Sequence, residues 1–385
     1  MNARSIALVR TNFRSVTANP QGGTKLITSF YSHLFGKNPD FRALFPVSLH
    51  SQRERFFAAI KFVVDNLDNP ARVMTFLEQL GRDHRKYGVE AGHYNAAGAA
   101  LLAALREYTG DLFWTNGIDA AWREVIAMLV EAMANGAESD DLPAHWEATV
   151  VGHRRVLDNL AIIRLLSDEP IPYEAGQYLP VRIPQRPMMW RYLSPAIPSN
   201  SRCEIEFHVR KISGGWVSPS LVNETKVGDR WKLGAPLGGM RVYQDGADVL
   251  MVSSGTGLAP LRAQIMEMTF SGVNPRVHLF LGGRHPCDLY DLETMWRISQ
   301  FNPWLTVVPV VEQPNDPWWY SGPSLEIPEG MEGLHIGRIG QVVTRYGAWK
   351  GHQIQVSGSP LMIRSTIAAL SEVGIPPARV QHDPV

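Results

Sequence analysis

Over the first third of the chain, apolar side chains recur every three or four positions. Leu26, Ile27, Phe30, Tyr31 and Leu34 form one stripe, Gln52, Phe56, Ala59, Ile60 and Val63 a second, and Val73, Phe76, Leu77, Leu80 and His84 a third. This spacing predicts amphipathic helices, with Gly88 placed to stop the third. Two more helices are predicted over 96–108 and 120–133. Residues 135–145 are polar, carry Glu138, Asp140 and Asp141 and include Pro143, so they read as a linker or a bent helix end. From Trp146 the pattern shortens to alternating runs. Strands are predicted at 177–183, 204–210 and 229–233 between Pro and Gly turns, and many short strands without long helices point to a barrel or sandwich. Near Asp248 the pattern changes again. Apolar strands at 249–252, 277–281, 305–311 and 353–356 alternate with helical runs at 258–270, 292–299 and 361–370, which predicts a parallel α/β sheet.

Composition sharpens these divisions. Residues 1–142 hold four prolines (Pro20, Pro39, Pro46, Pro70) and 143–385 hold the other twenty-three. Proline is costly inside helices, so an all-helical first part and a strand-rich remainder are expected. At about 150 residues per domain, 385 residues make two or three domains. The expected units are an all-α domain over 1–140, an antiparallel β-barrel over 146–245 and an α/β parallel-sheet domain over 247–385. Thirty-seven Lys and Arg balance thirty-seven Asp and Glu. That balance argues against a nucleic-acid partner, which needs a basic surplus, and leaves no polybasic membrane face. Two cysteines, Cys203 and Cys287, are too few for a disulfide framework, so a reducing, cytoplasmic setting is expected. No apolar run approaches the length of a membrane span, and none is expected.

Tyr31, Gln52 and His84 interrupt the three apolar stripes. Burying an unpaired polar group costs kilocalories, so three such groups on helices of one domain are expected to share a site. A haem pocket accounts for them, because iron takes a neutral imidazole as axial ligand and hydrogen-bond donors on the other face hold dioxygen in a polar form. The surrounding words resemble a bacterial globin. Phe30-Tyr31-Ser32-His33-Leu34-Phe35 and Asn38-Pro39-Asp40-Phe41-Arg42-Ala43-Leu44-Phe45-Pro46 match its second helix and corner. Ser51-Gln52-Arg53-Glu54-Arg55-Phe56-Phe57 matches the distal helix, and His84 followed by Tyr94-Asn95 the proximal segment. On this resemblance Tyr31 and Gln52 are the distal donors, Phe45 the corner phenylalanine, Phe56 the bulky distal neighbour and His84 the iron ligand.

In the middle third, Gly176-Gln177-Tyr178 precedes a strand, Arg191-Tyr192-Leu193-Ser194 follows, and Gly214-Gly215-Trp216-Val217-Ser218 comes later. A flavin dinucleotide needs a cation and hydroxyls for its phosphates and ribityl chain, backbone amides, and an aromatic or apolar wall for its ring. Tyr178, Arg191, Tyr192, Leu193, Ser194, Gly215, Trp216, Val217 and Ser218 are the candidates. Their order and spacing resemble the FAD barrel of the ferredoxin–NADP reductase superfamily, with Leu193 where a ring-stacking tyrosine is usual. Gly255-Thr256-Gly257-Leu258-Ala259-Pro260 then joins a strand to a helix. Its glycines allow close approach of a pyrophosphate, and the helix start favours negative charge. It resembles the NAD(P)-binding lobe of the same superfamily, with Arg284 as a candidate for a 2′-phosphate.

The three parts together resemble a flavohaemoglobin. The resemblance implies haem b, FAD and NAD(P)H as cofactors and dioxygen and nitric oxide as small-molecule partners, with no obligatory protein partner. It also implies nitric oxide dioxygenase chemistry, in which hydride enters the flavin and single electrons pass to haem. In the family a proximal tyrosine and glutamate steer the histidine. Tyr94 matches the tyrosine, while Ala137 falls at the glutamate position with Glu138 beside it. Asp83 replaces a lysine, Ser357 a cysteine, and the tail ends Gln381-His382-Asp383-Pro384-Val385, with Asp383 available as the family's terminal acid. These departures resemble the actinobacterial type II flavohaemoglobins. The altered flavin surroundings leave two alternatives: a flavin reduced by another donor, such as a 2-hydroxy acid like lactate, or a haem-based oxygen or redox sensor.

Overall fold

The computed structural model describes the chain except for residues 20, 47, 140, 332, 384 and 385 and the side chain of Ser51. Pro20, Asp140, Pro384 and Val385, which enter the sequence reading above, therefore lie outside the described residues. The chain divides into two compact units, Met1–His145 and Trp146–Val385.

The first unit contains α1 (Ala3–Thr17), α2 (Gly22–Lys37), α3 (His50–Asp65), α4 (Pro70–His84), α5 (Ala91–Thr109) and α6 (Asn116–Glu138). Side-chain caps set several starts: Asn2 accepts the Ser5 amide, Asn69 the Arg72 amide, and Thr115 the Ile118 amide. The apolar faces meet in one core that includes Leu26, Val73, Leu105 and Trp122. A short polar chain crosses it. The Trp122 indole donates to Asn12 at 2.8 Å, and the Asn12 amide donates to Thr109 at 2.8 Å, joining α1, α5 and α6. Helices α4 and α6 cross closely. A Cβ on Gly81 would lie 2.0 Å from the Met133 carbonyl oxygen, and one on Gly136 would lie 2.2 Å from that of Glu78. Glycine at both positions lets the two backbones touch.

The second unit opens with β1 (Trp146–Leu157), β2 (Leu160–Ser167), β3 (Leu179–Arg182), β4 (Trp190–Leu193), β5 (Glu204–Arg210), the short α7 (Ser218–Asn223) and β6 (Arg230–Leu233). The strands form an antiparallel sheet in the order β4-β3-β6-β1-β2-β5. A bridge from Pro195, just past β4, to Phe207 in β5 brings the two edges together and closes a barrel around Phe207 and Trp231. Next come β7 (Val249–Ser254), α8 (Leu258–Met268), β8 (Val277–Gly283), α9 (Leu292–Phe301), β9 (Leu305–Val311), β10 (His335–Ile336), α10 (Ile339–Tyr346), β11 (Gln353–Ser357), α11 (Pro360–Glu372) and β12 (Val380–Gln381). These strands pair in parallel in the order β10-β9-β8-β7-β11-β12. Alternate strand residues feed two cores: Met251 packs with α8 and α9 on one face, and Leu250 and Val252 pack with α10 and α11 on the other.

A polar seam joins the barrel to this sheet. His208 hydrogen-bonds Glu206 at 3.0 Å and Tyr290 at 2.7 Å. Arg262 pairs with Asp291 at 2.9 Å and Glu206 at 3.4 Å, and Arg210 pairs with Asp288 at 2.9 Å. Burial alone would raise the Glu206 pKa. The bonds from His208 and Arg164 and the Arg262 charge outweigh it and pull the carboxyl down to about 2.

Candidate functional site

His84 ends α4, and the segment stops at Gly88, whose φ of 74° suits glycine. The His84 ring shares its Nδ1 proton with the Leu80 carbonyl at 2.6 Å, which leaves the lone pair on Nε2. Among the described residues no hydrogen bond engages Nε2. Burial lowers the His84 pKa against the opposing Leu80 bond and Asp83 charge, so the ring is neutral at pH 7. A fixed neutral imidazole whose Nε2 has no partner among the described residues fits the ligand that a haem iron would need. No group of three or more His, Cys, Asp or Glu that could hold a bare metal ion occurs among the described residues.

Tyr94 lies edge-on to His84, ring centres 6.3 Å apart, and burial pushes its phenol up to about 12. Its hydroxyl stands 3.5 Å from the Gly81 carbonyl, at the limit of a hydrogen bond. Tyr94, Ala137 and Glu138 line one cleft of about 370 Å³. Ala137 holds the position of the family's steering glutamate, and the partner of the His84 ring is the Leu80 carbonyl.

Tyr31, on α2, is 3% exposed. The rings of Phe35, Phe45 and Phe56 surround it at 5.6, 5.6 and 6.2 Å. Burial pushes its pKa to about 12, opposed by the Arg53 charge and a hydrogen bond with Gln52 from α3. Tyr31 is therefore a neutral donor in an apolar cage, with an amide beside it. Helices α3 and α4 meet near their connecting turn, where the Phe62 and Phe76 rings stand 4.6 Å apart. Gln52 and His84 sit at the far ends of this pair. Sequence reasoning passed over Arg53, whose Nε is buried without a hydrogen-bond partner among the described residues.

On the barrel, Tyr192 is 54% exposed and meets Tyr178 edge-on at 5.2 Å. Leu193 instead packs against the barrel core, as does Val217. Half-buried Tyr178 and exposed Tyr192 thus form an aromatic pair, with Arg191 preceding Tyr192 on β4. Ser194 follows that strand directly. Trp216 is largely exposed, and Gly215 packs tightly, a Cβ there lying 3.1 Å from Ser218 Oγ. The tail returns to this place. Asp383 Oδ1 and the Tyr178 ring both abut Gly238, and burial raises the Asp383 pKa to about 6.

At the end of β7, Gly255 has φ 55°. A Cβ on Gly257 would stand 2.3 Å from the Ser357 carbonyl, so glycine lets the turn press onto the end of β11. Leu258, Ala259 and Pro260 are buried and serve packing, while Thr256 is half-buried and Arg284 exposed beyond β8. The turn lies at the carboxyl end of β7, where the strand order reverses between β8 and β11. That is the usual ligand crevice of such sheets.

Residues 28–133 match the globin family, 147–242 the oxidoreductase FAD-binding domain and 251–366 the oxidoreductase NAD-binding domain. The chain is a globin joined to FAD- and NAD-binding oxidoreductase domains, the flavohaemoglobin architecture. The solved flavohaemoglobin from Malassezia yamatoensis, with bound FAD and haem, shares this fold over 99% of the chain and 98% of its own, with a TM-score of 0.74 at 14% identity. Among curated relatives, the flavohemoprotein of Vibrio cholerae serotype O1 is 26% identical over 265 residues, 63% of the chain and 66% of that protein. The phenol 2-monooxygenase reductase component DmpP of Pseudomonas sp. (strain CF600) is 30% identical over 208 residues, 53% of the chain. The chain spans 55% of that relative's length. No helix among the described residues is long and apolar enough to cross a membrane.

Proposed function

We propose that this flavohaemoglobin-type oxidoreductase is a nitric oxide dioxygenase, fed with electrons from NAD(P)H through FAD to haem. The observation that carries it is the presence, in one helical unit, of Tyr31 and Gln52, neutral donors in an aromatic cage, and of His84, whose Nε2 has no hydrogen-bond partner among the described residues. When bound, haem supplies the dioxygen site, FAD the conversion of hydride into single electrons, and NAD(P)H the hydride. His84 would hold the iron, and Leu80 keeps its ring in one tautomer. Tyr31 and Gln52 offer hydrogen bonds to a small ligand carrying partial negative charge, and Phe45 and Phe56 exclude water around them, which strengthens those bonds. Tyr178 and Tyr192 offer the flavin ring an aromatic wall, Arg191 and Ser194 its phosphates and hydroxyls, and the 214–218 turn backbone amides. The Gly255–Gly257 turn receives the dinucleotide. Leu193, Asp83, Ala137 and Ser357 support placement near the type II group, and the polarity of the chain supports a cytoplasmic setting.

The balanced reaction is two nitric oxide, two dioxygen and one NAD(P)H giving two nitrate, one NAD(P)⁺ and one proton. Haem- and FAD-loaded protein in aerated buffer is expected to form two nitrates per NAD(P)H consumed, measured by a nitric oxide electrode and nitrate assay. Failure to consume nitric oxide while both cofactors are reduced overturns the proposal. An anaerobic flavin spectrum that bleaches with lactate but not with NADH or NADPH replaces the donor.

A further inference from the structure

Arg53 follows Gln52 on α3 and stands one turn before Phe57, so Arg53 and Phe57 share a face of the helix. That face lies against α2: a Cβ on Gly23 would stand 2.7 Å from the Phe57 ring. Arg53 is therefore carried on the side of α3 that packs on α2, the helix of Tyr31. Its Nε is buried and has no hydrogen-bond partner among the described residues. The adjacent acid, Glu54, pairs instead with His50 at 3.4 Å, and no ion pair engages Arg53 among the described residues. The Arg53 charge acts on the Tyr31 phenol, where it favours the ionised form, as the Gln52 hydrogen bond does.

A half-buried guanidinium without a counter-charge is costly, and its planar donors suit an anion. The walls around Tyr31 are the rings of Phe35, Phe45 and Phe56, which bring no charge of their own. Among apolar walls a positive charge acts more strongly, and over a longer distance, than it does in water. Tyr31 and Gln52 are neutral donors and serve a polar uncharged ligand as well as a charged one. Arg53 adds what they lack, a preference for negative charge.

We propose that Arg53 makes the pocket of Tyr31 and Gln52 a binding site for small monoanions of the size of azide or nitrate, with its guanidinium supplying the attracting charge. This rests on the haem-globin reading of the helical unit and deepens it by naming the charge that the pocket selects. Nitrate, the product of the proposed reaction, belongs to this class, so Arg53 would hold the product as well as guide anions inward.

The test is azide binding to the ferric, haem-loaded full chain, followed by the shift of its Soret band. Arg53→Gln, and Arg53→Met, which keeps an apolar stem, are each expected to weaken azide binding about tenfold, as loss of a charge-assisted partner does. Carbon monoxide is neutral, so its affinity for the ferrous protein should stay within about twofold in both variants. Arg53→Lys keeps the charge and should hold azide within about threefold of wild type. Arg55→Gln removes an exposed cation from the same helix and should leave azide affinity within about twofold. Haem content and the unfolding midpoint report folding, and whichever neutral variant holds haem decides; if neither does, Arg53→Lys decides. Azide affinity equal to wild type in a folded neutral variant overturns the proposal. So does a loss in Arg53→Lys or Arg55→Gln as large as about tenfold, or an equal loss of azide and carbon monoxide, which marks Arg53 as structural. A wild type that develops no Soret band when haem is added overturns the haem-globin reading, and this proposal with it.

Discussion

The tight crossing of two helices in the globin unit gives a quantitative forecast. Gly81 on α4 faces the Met133 carbonyl on α6, and an added Cβ would stand 2.0 Å from that oxygen. Ordinary contact begins near 3.4 Å, so Gly81→Ala forces α4 and α6 apart by about 1.4 Å or bends α4 locally. Backbone lies on both sides, and no flexible side chain can yield. Overpacking of this kind costs about 1–3 kcal/mol. His84 sits three residues on, and its ring is held by Leu80 on the same turn, so the iron ligand moves with the helix. Gly36→Ala on α2 is the matched control, because a Cβ there meets nothing within 4 Å. It should be neutral or stabilising by up to about 1 kcal/mol. Urea unfolding of the haem-loaded protein gives the stability change, and the iron–histidine stretching band in resonance Raman reports the ligand. If Gly81→Ala unfolds within about 0.5 kcal/mol of wild type and leaves that band in place, the crossing does not position His84 and the reasoning fails.

Two further outcomes follow from the sites. Tyr31→Phe removes one buried donor worth about 1–1.5 kcal/mol, so dioxygen should leave the reduced, haem-loaded protein about tenfold faster in stopped flow; an unchanged rate would remove Tyr31 from the ligand's surroundings. Asp383 is neutral below its raised pKa of about 6, so the folded tail binds a proton more tightly than an unfolded one at 3.8. Its docking is strongest at low pH and weakens from about pH 4 through pH 6, by at most about 3 kcal/mol. Hydrogen-exchange protection at 380–383, corrected for the intrinsic rise of amide exchange with pH, should fall over that window and lose the dependence in Asp383→Asn; equal slopes in both proteins would refute it.

Much of the architecture was legible because each unit repeats one period: stripes at three and four in the helices, short alternations in the barrel, apolar runs in the parallel sheet. Helix α1 escaped notice. Its buried Val9, Phe13 and Val16 are interleaved with Arg10, Asn12 and Arg14, and Asn12 is inside only because Trp122 and Thr109 satisfy it. The β1–β2 hairpin was hidden by the polar run Gly152–Arg155 and by two register shifts that break its alternation. Strand β10 and helix α10 follow a long loop and were not predicted. At the sites, Tyr31, Gln52 and His84 stood out as polar residues on apolar stripes, a local signal. Arg53 gave no such signal, because in a run of charged residues it reads as a solvated helix surface, and only the fold buries its Nε. The inward turn of Leu193 likewise depends on which face of β4 meets the barrel interior.

The seam of Glu206, His208, Tyr290, Arg262 and Asp291 bears on how substrates come and go. Parting the barrel from the sheet would return these buried charges to water, and their hydration would offset much of the pairing lost. A jaw-like opening along this polar seam therefore costs less than one along an apolar face of the same area.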